Sequence, residues 1–162
     1  MTLGLRFTRL SPTHHRFEYR RADGSGEAVE AETDAVLLHD LLHYAVESEA
    51  GLKGSFYGIL DRIGGYQELS VAGGAALGGE IAVTERVVGA IAEAEAGLDD
   101  EAFAATVSAT VSATLTLYEE RAPRWLTPAF IAAVRERMRR LTARWNATPI
   151  GETMQLEFPP SL

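Results

Sequence analysis

Apolar and polar residues alternate near both ends of the chain, and this period-two pattern predicts β-strands. We expect a first strand over residues 3–7, a second over residues 14–21 and a weaker third over residues 27–32. Turn sequences rich in proline, glycine and serine separate these segments, which favours an antiparallel meander. Residues 153–158 alternate again, and we expect this strand to join the N-terminal sheet.

Between the strands, apolar residues recur every three or four positions, which predicts helices. We expect five of them: residues 33–49, 55–63 and 80–96, a segment that follows Asp99 or Asp100 and reaches Tyr118, and a segment from Thr127-Pro128 to about Trp145. The predicted fold class is therefore α+β. A small antiparallel sheet packs on a bundle of about five helices, in one domain that covers residues 1–162.

Two uncharged stretches must be tested against other interpretations, a phosphate-binding loop for one and a membrane span for the other. Residues 71–79 contain four glycines, which predicts a flexible loop, and they lack the GxxxxGK[ST] pattern of a phosphate-binding loop. Residues 102–118 form the longest uncharged run, but six serine and threonine hydroxyls and an i, i+4 apolar stripe indicate a helix outside the membrane. We therefore expect no membrane partner.

Charge is distributed unevenly along the chain, whose net charge is −8. Residues 22–120 carry 19 acidic and 3 basic residues, whereas residues 1–21 and 121–147 are net positive. We expect these segments to face each other within the fold or across a homo-oligomer. The overall acidity disfavours nucleic acid as a partner, because phosphate binding requires a positive face.

Composition limits the remaining possibilities. The sequence contains no cysteine, which excludes disulfides, thiolate metal ligands and cysteine nucleophiles within it. The first residues lack the apolar core of a signal peptide, so we expect a cytoplasmic location. Fourteen arginines against one lysine are typical of a GC-rich genome, and we expect a bacterial protein.

The predicted helix over residues 33–49 carries the recognisable chemistry. Thr33 is its expected N-cap. At about 100° per residue, its apolar side chains fill one broad arc, and His39, Asp40, His43 and Glu47 fall together in the adjoining arc. Histidines at i and i+4 present their imidazoles from adjacent turns, which is the spacing that helical metal sites use. We predict His39 and His43 as ligands of a divalent metal such as zinc.

The segment HDLLHYAVE resembles the HExxH metalloproteases, and its HDxxH core is similar to that of the HDxxH proteins of coenzyme Q biosynthesis. The first resemblance implies that Asp40 stands where a glutamate activates the metal-bound water. Asp40 is accordingly the candidate base or orienting residue. Glu47 lies too far along the helix for direct coordination, so we expect it to hydrogen-bond His43 and select its tautomer.

A third ligand must come from another element, and the sequence leaves several candidates open: His14, His15, Asp61, Glu80 and Glu85. We expect His14 to be solvated and His15 to be packed within its strand. Two functions follow. One is a metal-dependent enzyme, such as a hydrolase or lyase. The other is a non-enzymatic helical interaction or oligomerisation module without metal, in which the four polar residues are an ordinary helix border.

Overall fold

The computed structural model describes residues 2–62, 65, 66, 68, 69 and 78–160. Within them, a four-stranded antiparallel sheet packs with five helices, so the fold is α+β as predicted. The strands are β1 (Leu3–Arg9), β2 (His14–Arg20), β3 (Gly26–Glu32) and β4 (Thr153–Phe158). The helices are α1 (Thr33–Ala50), α2 (Phe56–Arg62), α3 (Gly79–Glu93), α4 (Asp100–Leu117) and α5 (Pro128–Asn146).

The sheet has the strand order β3-β2-β1-β4, so the C-terminal strand completes the N-terminal meander as predicted. Leu5 in β1 lies opposite Tyr19 in β2 and Leu156 in β4, and all three side chains are buried. The alternation seen in the sequence is thus the alternation between a core face and an outer face. β1 is an inner strand and β4 is an edge strand, so the first and last strands of the chain pair directly with each other.

Short-range signals locate the starts of two of the five helices. Asp99, rather than Asp100, caps α4 by accepting a hydrogen bond from the backbone of Ala102, and Thr127 caps α5 in the same way through Phe130. Each cap satisfies a backbone N–H that has no partner within the helix. Pro128 occupies the first turn of α5, where its missing N–H costs nothing.

The start of α1 differs from the prediction. Thr33 is the first helical residue and does not cap the helix; Glu32 holds the preceding position without a side-chain cap. The reason is that β3 continues directly into α1, since the Thr33 amide is bonded to the carbonyl of Thr13 beside β2. The Thr33 hydroxyl contacts His15 Nδ1 at 3.2 Å instead. Sheet pairing therefore decides where α1 begins.

α1 lies at the centre of the structure and contacts β3, α2, α3 and α5. Its buried side chains belong to a hydrophobic cluster that includes the inner face of the sheet and residues from all five helices. Two hydroxyls tie it to its neighbours: Tyr44 donates to the Glu157 carbonyl of β4 at 3.0 Å, and Tyr57 of α2 donates to the Asp40 carbonyl at 2.8 Å. The candidate site is thus built on a helix held from several directions.

Acidic residues of the middle segment pair with arginines of the C-terminal segment within the single chain. Arg137 lies 2.8 Å from Glu49, and Arg135 lies 3.0 Å from Asp100. The expected pairing of segments is therefore present inside the fold, and a homo-oligomer stays a prediction.

Of the loop predicted over residues 71–79, all but the last two residues lie outside the described part of the chain. No helix in the described residues combines the length and apolarity of a bilayer span.

Candidate metal centre

Three titratable side chains converge where α1 meets α3. His39 and His43 come from consecutive turns of α1, and Glu85 comes from α3. Glu85 Oε2 lies 3.6 Å from His39 Nε2, and Glu85 Oε1 lies 3.0 Å from His43 Nε2. One potential ligand atom from each residue lies within 4.8 Å of the other two. This group can hold a metal ion.

Glu85 reaches the histidines because of how α3 is packed. Ile81, Thr84 and Val88 on the same side of α3 are buried, which turns the neighbouring Glu85 toward α1. The Thr84 hydroxyl donates to the Glu80 carbonyl at 2.8 Å and shares a 2.6 Å hydrogen bond with Ser55. This buried polar contact fixes α3 against the segment that precedes α2.

His43 is buried, and its two ring nitrogens have different surroundings. Its side chain is 1% exposed, and its Nδ1 lies 3.1 Å from Glu47 Oε1 in hydrogen-bonding geometry. Nε2 is buried and has no hydrogen-bond partner, because the nearby Glu85 oxygen lies off the direction in which an N–H would point. When His43 is neutral, donation from Nδ1 leaves the Nε2 lone pair free, and this is the tautomer that coordinates a metal through Nε2.

Glu47 supplies the partner of His43 that the sequence predicts. Its side chain is fully buried, with Oε1 facing His43 and Oε2 accepting the Tyr57 backbone N–H at 2.9 Å. Burial raises the pKa of the Glu47 carboxyl, and the hydrogen bond with His43 offsets only part of that rise. Glu47 lies at Nδ1 of the His43 ring, whereas Glu85 lies at Nε2. Its position is that of a residue that orients His43.

Asp40 lies on the Nδ1 side of His39, at a longer distance than the one that separates Glu47 from His43. Its Oδ1 lies 3.8 Å from His39 Nδ1, and its Oδ2 accepts a 2.8 Å hydrogen bond from the Tyr66 hydroxyl. The Asp40 side chain is 6% exposed, whereas that of His39 is 52% exposed. Each histidine thus has a carboxylate on its Nδ1 side and shares Glu85 on its Nε2 side. The 3.8 Å separation from His39 is longer than a hydrogen bond, and the predicted role of Asp40 as a base or orienting residue stays a prediction.

The charges of the cluster reinforce one another. Contacts with Asp40 and then Glu85 raise the pKa of His39 to about 9, against the opposing effect of burial. Burial lowers the pKa of His43, but Glu47 and Glu85 outweigh it and the net shift is upward. Burial also disfavours ionised Glu85, yet the two histidines lower its pKa to about 2. Without a metal, these shifts favour protonated histidines beside an ionised Glu85, and a metal would have to displace the Nε2 protons in order to bind.

Of the five third-ligand candidates, the structure brings only Glu85 to the histidines. Glu80 accepts a hydrogen bond from the Gly54 amide, and Asp61 is half-buried on α2. His14 is exposed on β2, and His15 is fully buried, with its ring 6.0 Å from that of Trp145. Both histidine placements agree with expectation. No local pattern distinguishes Glu85, because its partners are more than forty positions away in the sequence.

The hydroxyl groups that support the site were not predicted from the sequence. Tyr57, Tyr66, Ser55 and Thr84 are buried, and their contacts hold the carboxylates and helices of the cluster. A pattern of periodic apolar residues places such side chains in the core without naming their polar partners. Buried tyrosines usually find a hydrogen-bond partner, and that rule is the only available signal.

Two imidazoles and one carboxylate form a donor set that catalytic zinc sites use, with a further position left for water or substrate. The half-exposed His39 and the 21% exposed Glu85 form the accessible side of the cluster, whereas His43 closes the inner side. The arrangement can therefore bind a cation that is still reachable from outside. No protein-family model, no curated protein and no solved structure matches this chain.

Proposed function

We propose that this protein binds one divalent transition-metal ion, with zinc as the best-fitting choice, and uses it as a metal-dependent hydrolase or lyase. His39 Nε2, His43 Nε2 and the Glu85 carboxylate are the proposed ligands. The observation that carries the proposal is the buried Nε2 of His43, which has no hydrogen-bond partner while its Nδ1 is bonded to Glu47.

A buried polar atom without a partner destabilises a fold by about 1–3 kcal/mol. In neutral His43, the hydrogen bond with Glu47 holds the proton on Nδ1, so the Nε2 atom that faces Glu85 is left without one. A cation between Nε2 and Glu85 would compensate both the free lone pair and the carboxylate charge. The 3.0 Å separation, out of line for a hydrogen bond, is compatible with two ligands that share an ion after small adjustments.

Three protein ligands leave room for a water molecule, and a bound divalent ion lowers the pKa of that water toward neutrality. Asp40 and Glu47 would keep the two imidazoles oriented, as carboxylates commonly do for metal-binding histidines. The accessible side at His39 would admit the substrate. These features support hydrolysis or elimination assisted by a Lewis acid.

A specific observation also favours the second function, a non-enzymatic helical module without metal. Glu85 lies within 4.0 Å of both histidines, and the resulting shifts leave His39 with a pKa of about 9 and Glu85 with one of about 2. The cluster would then be a charged clamp between α1 and α3. In that case it stabilises the fold without performing chemistry.

Metal content separates the two functions. We would purify the chain without a histidine tag, incubate it with zinc, remove the excess by dialysis and measure zinc by elemental analysis. One zinc per chain is expected for the wild type, and much less for His43→Gln and Glu85→Gln. His14→Gln is the matched control, because His14 is exposed and its Nδ1 contacts the Thr13 hydroxyl.

Thermal unfolding gives a second readout on the same samples. Zinc should raise the melting temperature of the wild type and of His14→Gln, and a chelator should reverse the rise. Wild-type protein that retains no zinc, and whose melting temperature is indifferent to zinc and chelator, would establish the metal-free module instead.

A further inference from the structure

A groove lies beside the candidate metal centre and has His39 in its wall. It has a volume of about 720 Å³ and is bordered by α1, α4, α5 and the end of α3. Volumes of about 300–1,000 Å³ are typical of sites for small molecules. Of the three proposed metal ligands, His39 lines the groove, and its half-exposed side chain can be contacted by a molecule that binds there.

The groove is mainly apolar. Its described lining includes Leu38, Leu42, Ile91, Phe103 and Met138, together with several alanines. Leu38 is 56% exposed and adds a large aliphatic side chain to the exposed part of this lining. Filling the groove with an apolar body would remove this surface from water.

The charged residues of the described lining, apart from His39, are two arginines. Arg135 and Arg139 stand on α5, and both approach Asp100, at 3.0 and 3.7 Å. Arg135 also lies over the Phe103 ring, 4.2 Å from its centroid. These contacts hold the guanidinium groups in place beside the apolar surface. The lining therefore combines apolar walls, two arginines that are ion-paired with Asp100 (Arg139 also with Glu136) and His39, a ligand of the proposed metal.

We propose that the groove binds an amphiphilic monoanion, with its apolar body against Leu38, Leu42 and Phe103 and its anionic oxygen on the metal. Medium-chain carboxylates are the simplest compounds of this class. The inference rests on the proposed function, because the head group is held by the metal. It goes further by naming the substrate class: compounds whose reacting carboxyl or acyl group is attached to an apolar chain or ring.

The test uses the full chain loaded with cobalt(II), whose visible absorption reports on its coordination. Octanoate, acetate and 1-octanol are titrated separately. Octanoate should perturb the cobalt spectrum and bind at least about tenfold more tightly than acetate, since each buried methylene strengthens binding about threefold to fourfold. Octanol has the chain without the anion, and it should leave the spectrum unchanged at octanoate-saturating concentrations.

A variant then tests the position of the chain. Ala92 is an exposed residue of the groove wall, so Ala92→Trp fills the groove without disturbing the core. Cobalt uptake should be unchanged, and the preference for octanoate over acetate should fall to within about threefold. Ala109→Trp is the matched control on the exposed surface of α4, away from the groove lining, and it should retain the full preference.

The outcomes separate the groove from the metal site. Equal affinities for octanoate and acetate in a cobalt-loaded wild type would overturn the groove assignment and leave the metal site standing. An unchanged octanoate preference in Ala92→Trp would overturn it as well. A wild type that takes up no cobalt would remove the metal site and this inference together.

Discussion

His43 and Glu47 form a hydrogen-bonded pair on consecutive turns of α1, with Nδ1 and Oε1 separated by 3.1 Å and both side chains almost completely buried. A carboxylate in such a place is stabilised only by its partners, here His43 and the Tyr57 backbone N–H. The pair also determines which nitrogen of His43 faces Glu85. It therefore links the stability of the core to the chemistry of the candidate site.

Glu47→Gln is expected to fold and to weaken zinc binding by about 10–100-fold. An amide has one acceptor oxygen, which the Tyr57 N–H requires, so the amide NH₂ would face His43. The imidazole would then carry its proton on Nε2, where the metal must bind. Competition titration with a zinc indicator measures the affinity. Glu49→Gln, which alters an exposed residue paired with Arg137, serves as control and should bind zinc normally. Equal affinities for both variants would contradict the orienting role of Glu47.

Stability should depend on pH in opposite directions without and with zinc. The pKa of His39 is raised from 6.5 to about 9, and that of His43 is also raised from 6.5. A group with a raised pKa holds its proton more tightly in the folded state, so the metal-free protein should lose stability as pH rises from 6.5 to 9. Zinc requires deprotonated imidazoles, so the stabilisation by zinc should grow over that range.

Melting curves in chelator and in zinc, recorded across these pH values, measure the two slopes. The lowered pKa of Glu85 adds a second effect in the metal-free protein: stability should fall as pH drops from 4.5 toward about 2. Glu85→Gln should reduce both the alkaline and the acid dependence. A metal-free wild type whose stability is constant between pH 6.5 and 9 would show that the cluster is not ion-paired as described.

The Ser55 and Thr84 hydroxyls should be energetically coupled. Thr84→Val removes the partner of a buried serine and is expected to destabilise the fold by about 1–3 kcal/mol. Adding Ser55→Ala to that variant should restore part of the loss, because no unpaired hydroxyl then remains. Urea unfolding of the two single variants and the double variant gives the coupling energy, expected near 1 kcal/mol. Strictly additive losses would show that the two hydroxyls do not interact.

Tyr66→Phe should destabilise the protein by about 1–3 kcal/mol, since the buried Asp40 carboxylate loses a donor at 2.8 Å. Chemical denaturation measures the change. Tyr118→Phe is the control, because the Tyr118 ring is 60% exposed and Phe retains its contact with Arg86. That variant should stay within about 0.5 kcal/mol of the wild type. A Tyr66→Phe protein as stable as the control would show that the Tyr66 hydroxyl does not stabilise the Asp40 carboxylate.

Local patterns predicted much of this architecture correctly. The alternation in β1, β2 and β4 predicted the sheet and the union of its terminal strands, and the residues after Asp99 and Thr127 start helices where their caps indicated. These features depend on neighbours in the sequence, so periodicity and capping are sufficient to find them. The Thr33 cap failed because β3 runs directly into α1, and pairing with a distant strand outweighed a local preference.

By itself, the sequence determined the histidine spacing on α1, the position of Glu47 one turn beyond His43 and the composition that rules out thiolate ligands. Tertiary structure decided the remainder of the site. Packing of α3 against α1 selected Glu85 from several acids and histidines. Asp40 and Glu47 are also buried, in contact with Tyr66 and Tyr57. The physical reason is the distance along the chain between the residues that decide each feature. A helical period fixes which residues of one helix share a face, whereas the element that covers that face depends on contacts between segments far apart in the chain.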